Sequence, residues 1–297
     1  MNKLWKAHLA LFGANLIYAI NYTVAKDVMP KYIEPLGFIF MRVSGAVVLF
    51  WLFYRFFFYE KVALKDIGRL AICALFGVAI NQMLFFEGLN LTTPINAAVI
   101  MVVNPILVLL FAGLTSTERF SKLKWLGIGL GATGAILLIT NGGSIAISQT
   151  HVWGNTLVFI NATSYAIYLV LVKSLMKKYA PITVVSWVFL FGFLCVIPFG
   201  WNEFNAIDWH SMPQDIVWKV GFVVIGTTFL AYLFNIYGLK RLNPSTVSTY
   251  IYLQPVLATV VALLAQSDKL NMIKLISALF IFAAVYLVSR PKTVVQE

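Results

Sequence analysis

The sequence predicts an all-α membrane protein: ten transmembrane helices as two inverted five-helix repeats, with N and C termini cytoplasmic. Three observations predict it. The 297 residues are 61% hydrophobic and 11% charged, where an ordinary soluble domain carries roughly 25% charged residues. Ten apolar stretches lie at roughly 7–25, 36–57, 68–87, 95–114, 125–140, 153–172, 183–200, 217–237, 245–265 and 273–289, each near the ~20 residues that cross a hydrocarbon core of ~30 Å. The chain also repeats itself. Residues 88–120 and 238–270 align without a gap at an offset of 150, so that Gly88-Leu89, Pro94, Pro105, Leu107 and Leu114 recur as Gly238-Leu239, Pro244, Pro255, Leu257 and Leu264. A second match pairs Tyr18-Ala19-Ile20 and Lys26 with Tyr165-Ala166-Ile167 and Lys173. The copies, 1–145 and 146–297, hold five spans each, and an odd number obliges the second to enter the bilayer upside down.

Span 1 follows Lys3 and Lys6, as a signal peptide would, but it is long, holds Asn15 and Asn21, and lacks a small-residue cleavage site before Lys26; it reads as a retained helix. It sets Asn15, Tyr18 and Tyr22 on one face, and span 6 does the same with Asn161, Tyr165 and Tyr168. Span 2 opens at Pro35 and carries Arg42 about 10 Å along its axis. Span 3 holds Asn81 and Gln82, with Glu87 near its outer end. Arg42 and Glu87 can pair with each other; alternatively, Arg42 meets a carboxylate at the outer mouth, or Glu87 titrates as a proton-coupling group. Spans 4 and 9 carry Asn104-Pro105 and Gln254-Pro255 at equivalent mid-span positions. Proline there removes a backbone hydrogen bond and kinks the helix, and in lipid the freed carbonyl must find a partner. The amides either satisfy that backbone or line a path beside it. Gly127, Gly131 and Gly134 in span 5 form a small-residue packing face. Span 8 adds Tyr232 and Asn235, and span 9 adds Ser248, Thr249 and Tyr252. The loop at about 200–217, with Trp201 and Trp209, reads with Trp218 as an aromatic interfacial anchor.

The net charge of +11 reports topology. With the N-terminus in the cytoplasm, 16 of the 22 Lys and Arg residues fall on that side, 5 fall on the other, and Arg42 lies within a span. This positive-inside bias points to anionic headgroups and gives no reason to expect nucleic acid. Cys73 and Cys195 lie inside spans as small buried hydrophobes.

The first copy carries, in order, Asn21 and Lys26, Pro35 and Arg42, Ala97-Ala98 and Pro105, Glu118-Arg119-Phe120, and Gly127, Gly131 and Gly134. The second copy answers with Tyr165, Ala166, Tyr168, Lys173, Pro255 and Asp268-Lys269-Leu270. By the order, spacing and duplication of these residues the chain resembles, over nearly its whole length, the EamA family of the drug/metabolite transporter superfamily. Two departures stand out: Asp268 where glutamate is usual, and no glycine at 277 or 281. The resemblance implies export or uptake of small metabolites, often amino acids.

Polar side chains in hydrocarbon are expensive unless they face the bundle interior or water. A substrate-binding cavity is therefore expected from Asn15, Tyr18, Tyr22, Asn81, Gln82, Asn104, Asn161, Tyr165, Tyr168, Tyr252 and Gln254. Pro105 and Pro255 would act as gates. Such a lining suits a small polar or zwitterionic metabolite, carried across the inner (plasma) membrane by alternating access. Expected partners are that solute and membrane lipids, with no cofactor and no metal. An enzyme would need a nucleophile with its base, an aspartate pair or clustered metal ligands within the bilayer, and no such run is present. A channel or lipid-handling scaffold is the alternative.

Overall fold

The computed structural model describes residues 3–57, 59–114, 122–139, 149–239, 241, 250 and 253–289. The described elements are all helical: α1 (Lys3–Val28), α2 (Pro35–Phe57), α3 (Leu64–Ala74), α4 (Ile80–Leu91), α5 (Pro94–Met101), α6 (Asn104–Leu114), α7 (Lys122–Ile139), α8 (Gln149–Met176), α9 (Pro181–Asn205), α10 (Gln214–Gly221), α11 (Ala231–Leu239), α12 (Leu253–Leu264) and α13 (Met272–Ser289). α3 continues into α4 through a π-helical turn, Leu75–Ala79, and α10 into α11 through a longer one, Phe222–Leu230. Tyr252 and Glu118-Arg119-Phe120 lie outside the described residues, as do Pro244, Ser248 and Thr249.

Helix starts follow local chemistry. Prolines open α2, α5 and α9, where a missing N–H and a fixed φ suit the first turn. At α5 the Thr93 hydroxyl accepts the Asn96 N–H. Five helical stretches are long and apolar enough to cross a membrane by length and composition: Pro35–Phe57, Leu64–Leu91, Gln149–Met176, Pro181–Asn205 and Gln214–Asn235. Four apolar stretches are shorter, at Pro94–Val108, Trp125–Leu138, Leu253–Leu264 and Met272–Ala284.

Two expectations are corrected. The fourth stretch is broken, not merely kinked: Val102 and Val103 form a tight turn with N–H groups bonded to Val99 and Ile100 carbonyls at 3.1 and 3.0 Å. Pro105 thus sits in the first turn of a new helix, where its absent N–H goes unmissed. Pro255 lies in α12, and the residues just before Leu253 lie outside the described ones. The loop expected at 200–217 is also shorter. α9 runs to Asn205 and α10 starts at Gln214, so Trp201 and Trp218 are exposed helical residues.

Packing follows the repeat. α2 lies against α9 and α7 against α13, each beside its own counterpart. α1 packs on α10, α11 and α12, while α8 packs on α3, α4, α5 and α6. The departures at 277 and 281 now have a reason. A β-carbon at Gly134 would meet Ile281 Cγ1 at 2.9 Å and the Ser277 carbonyl oxygen at 3.0 Å. The glycine face of α7 receives the larger side chains of α13, so the two counterparts differ because they meet each other.

Charged groups staple the ends. Lys26 donates to the carbonyls of Leu89, Asn90 and Thr92 at 3.0, 2.6 and 2.5 Å, placing a cation at the C-terminus of α4, where the helix dipole favours it. Asp268 accepts the Ile95 N–H at the start of α5 and pairs with Lys274 at 2.6 Å. At opposite ends of α9, Glu60 accepts from Ala180 N–H and Thr183, and Glu203 accepts from Gly37 N–H at 2.8 Å. Lys178 pairs with Asp66 beyond the end of α8. Its ammonium is held above the usual lysine range, chiefly by the hydrogen bond to Asp66.

Candidate transport site

The residues before the two prolines make matching contacts. Asn104 Nδ2 on α6 donates to the Ala162 carbonyl of α8 at 2.9 Å. Gln254 Nε2 on α12 donates to Asn15 Oδ1 of α1, also at 2.9 Å. Positions 104 and 254 are related by the offset of 150, and 15 and 162 by the 147 that relates Tyr18 to Tyr165. Each bond joins one half of the chain to the other. Gly88 and Gly238 repeat the relation: a β-carbon at Gly88 would strike Val158, and one at Gly238 would strike Leu11.

Between these clasps the polar side chains converge. Asn161 Nδ2 donates to the Asn81 carbonyl at 2.6 Å. The Tyr165 and Tyr168 rings lie 5.7 Å apart, and Tyr168 covers Gly77 in the first π turn. Tyr18 lies within electrostatic reach of Tyr165 and Arg42. Tyr232 lies within reach of Tyr18, Tyr165 and Tyr168. Tyr22 turns away into an edge contact with Phe85 at 5.5 Å. The cluster therefore draws on α1, α8 and α11, with Arg42 entering from α2.

The π turns shape it. A π turn leaves carbonyls without their α-helical donors, and such turns recur at functional positions. Ser164 on α8 donates to the Phe76 carbonyl at 2.7 Å, inside the first turn. Thr227 and Thr228 both donate to the Val223 carbonyl within the second. Thr228 Oγ1 also accepts Arg42 Nε–H at 2.9 Å. Among the described residues no carboxylate lies within 4.0 Å of Arg42, so the Arg42–Glu87 pairing is not formed. Glu87 instead faces the field of Glu203 and Glu34.

The amide oxygens of Asn21, Gln82, Asn96 and Asn161 are buried without a hydrogen-bond partner among the described residues. An unsatisfied buried acceptor costs about 1–3 kcal/mol, so each is an acceptor with a donor still to gain. Two apolar clefts lie apart from the cluster. One, between α2, α9 and α10, includes Phe40, Gly45, Phe204 and Gly221. The other, between α5, α12 and α13, includes Val99, Pro255, Leu275 and Phe282.

Tyr232 and Asn235 are legible in the sequence only as polar residues of span 8, and Thr228 escapes sequence reading. It is one of two adjacent threonines in an apolar run, and no local pattern marks it as a partner for Arg42.

A multi-pass helical bundle written twice, with polar groups drawn to its interior, defines a membrane protein of transporter type. The EamA-like transporter family model matches residues 5–140 and 152–290, and the chain belongs to that family. It is 25% identical over 288 residues to an uncharacterized transporter of Archaeoglobus fulgidus, covering 95% of this chain and 96% of that one. It is 24% identical to the uncharacterized transporter YyaM of Bacillus subtilis, covering 94% and 92%. The WAT1-related protein At3g53210 of Arabidopsis thaliana is 24% identical, over 93% of this chain and 80% of the relative. A protein crystal structure at 18% identity superposes with a TM-score of 0.61 over 96% of this chain and 98% of the other, a likeness of fold alone.

Proposed function

We propose that this protein is a secondary transporter that exports a small polar or zwitterionic metabolite, an amino acid or related compound, across the plasma membrane by alternating access. The observation that carries the reading is the matched pair of clasps, Asn104 to Ala162 and Gln254 to Asn15. Each joins the proline-bearing helix of one repeat to the first helix of the other. If the repeats are inverted, one clasp secures each side, and releasing one while keeping the other exposes the site to a single face. The unsatisfied amides of Asn21, Gln82 and Asn161 supply acceptors for ammonium or amide donors of the solute. Pro105 opens one gating helix and Pro255 lies within the other.

Counterflow in proteoliposomes tests this. Vesicles are loaded with a mixed pool of unlabelled amino acids, and entry of each labelled one is followed. Transient accumulation of one class, abolished by Asn104→Leu or Gln254→Leu, is the expected result; no accumulation of any amino acid by folded protein would reject that class. A lipid-handling scaffold is the second reading, favoured by the apolar cleft between α2, α9 and α10. It predicts lipid movement between leaflets without solute counterflow.

A further inference from the structure

Arg42 projects from α2 into the bundle, donates Nε–H to Thr228 Oγ1 at 2.9 Å, and sets its guanidinium carbon 5.4 Å from the centre of the Phe86 ring. Tyr18 stands within electrostatic reach. A guanidinium offers five N–H donors in a planar fork, and among the described residues only the Nε contact is made. Charges withdrawn into a helical bundle normally find an opposite charge, because leaving water costs several kcal/mol. The protein does so elsewhere: Lys274 and Asp268, 8% and 4% exposed, meet at 2.6 Å. Arg42 meets no such carboxylate among the described residues. The residue as a whole is half-buried.

We propose that Arg42 anchors the carboxylate of the solute, gripping it through its two terminal nitrogens while Thr228 and Phe86 fix the plane of the fork. The shape of the rest follows from the neighbours. Phe86 packs edge-on against Phe38 and Phe85, at 5.5 and 5.4 Å, and is fully buried, so it backs the guanidinium and presents no face of its own. Tyr18, half-buried, lies within electrostatic reach of the guanidinium on one side and of Tyr165 on the other. A half-buried tyrosine ring accepts a flat apolar body. One cation matches a monoanion, whereas a phosphate dianion would enter with charge uncompensated. The class is therefore a small organic carboxylate with an aromatic or similarly apolar body. The word solute rests on the transporter reading above; the binding site itself rests on the geometry.

The test uses three probes that share a phenyl body: L-phenylalanine, phenylacetate and phenethylamine, which lacks the carboxylate. Binding to the purified full-length protein is measured by calorimetry. The two acids are expected to bind at least about ten-fold more tightly than the amine, the scale of a charge-assisted contact. Arg42→Met is expected to erase the difference. Arg42→Lys should restore only part of it, because an ammonium lacks the fork. Because Arg42→Met can lose the fold, Thr228→Val is the second variant. It keeps the charge and removes the acceptor for Nε–H, and should weaken the acids several-fold while leaving the amine unchanged. Amine binding as tight as the acids, undiminished acid binding by Arg42→Met, absence of acid binding, or displacement of phenylacetate by inorganic phosphate at equal concentration would each overturn the assignment. Counterflow of a solute without a carboxylate, unaffected by Arg42→Met, would overturn it and leave the transporter standing. Saturable, Arg42-dependent acid binding without counterflow would uphold it and sink the transporter reading.

Discussion

A β-carbon placed on Gly88 would lie 2.8 Å from the Gly154 carbonyl oxygen and 2.9 Å from the Val158 nitrogen. Backbone atoms cannot rotate aside, so α4 and α8 would have to separate. Gly88→Ala is expected to cost about 1–3 kcal/mol, read as a lowered thermal midpoint of the purified protein. Gly68, inside α3, has nothing within 4 Å of its added β-carbon; there the same change should stabilise by up to about 1 kcal/mol, through helix propensity alone. An equal loss at both positions would refute the close-approach argument. Ion pairs divide in the same way. Lys274→Met strands the buried Asp268 carboxylate and is expected to cost about 3–5 kcal/mol. Lys219→Met breaks contacts to Asp27 and Asp215, both more than half exposed, and should cost less than about 1 kcal/mol. Denaturation of the two variants side by side checks the ranking.

The π turns belong to the scale of the element. Deleting one residue within Leu75–Ala79 replaces the π turn by an α turn and leaves the winding beyond it nearly in phase, because the turn absorbs one extra residue. The Phe76 carbonyl that accepts Ser164 and the seat of Tyr168 over Gly77 would then be lost, and the expected result is folded protein that no longer binds solute. Retained binding, with an unchanged helical circular dichroism spectrum, would mean that the turn has no part in shaping the site. Helix positions are largely legible in the sequence, because apolar length is what a bilayer demands. Neither π turn is, since an extra residue per turn changes neither composition nor length. The proline effect is half-legible. Pro105 reads as a kink, but the structure breaks the helix two residues earlier, at Val102 and Val103, and lets proline begin the next one. For the site, the amide before each proline is readable from the repeat, whereas its acceptor lies on a distant helix that no local pattern names. Arg42 is conspicuous as a charge in an apolar stretch, yet Thr228 emerges only because the winding of the second π turn carries it inward.

At the scale of the molecule, the clasps predict opposite outcomes from matched substitutions. With a cysteine introduced near each end of the bundle in a background without Cys73 and Cys195, Asn104→Leu and Gln254→Leu should shift labelling by an impermeant maleimide in opposite directions. A shift of the same sign in both would argue against inverted repeats that take turns. The stapling of ends by distant charges has a further consequence, and it concerns reactivity. All three protons of the Lys26 ammonium have carbonyl acceptors in Leu89, Asn90 and Thr92, so an amine so engaged is a poor nucleophile toward acylating reagents, while Lys31 and Lys269, exposed between helices, are not held in this way. Lys26 can react only when α1 draws away from the end of α4. The rate of its acylation would therefore time that separation in the unmodified chain, without a probe having to be built in.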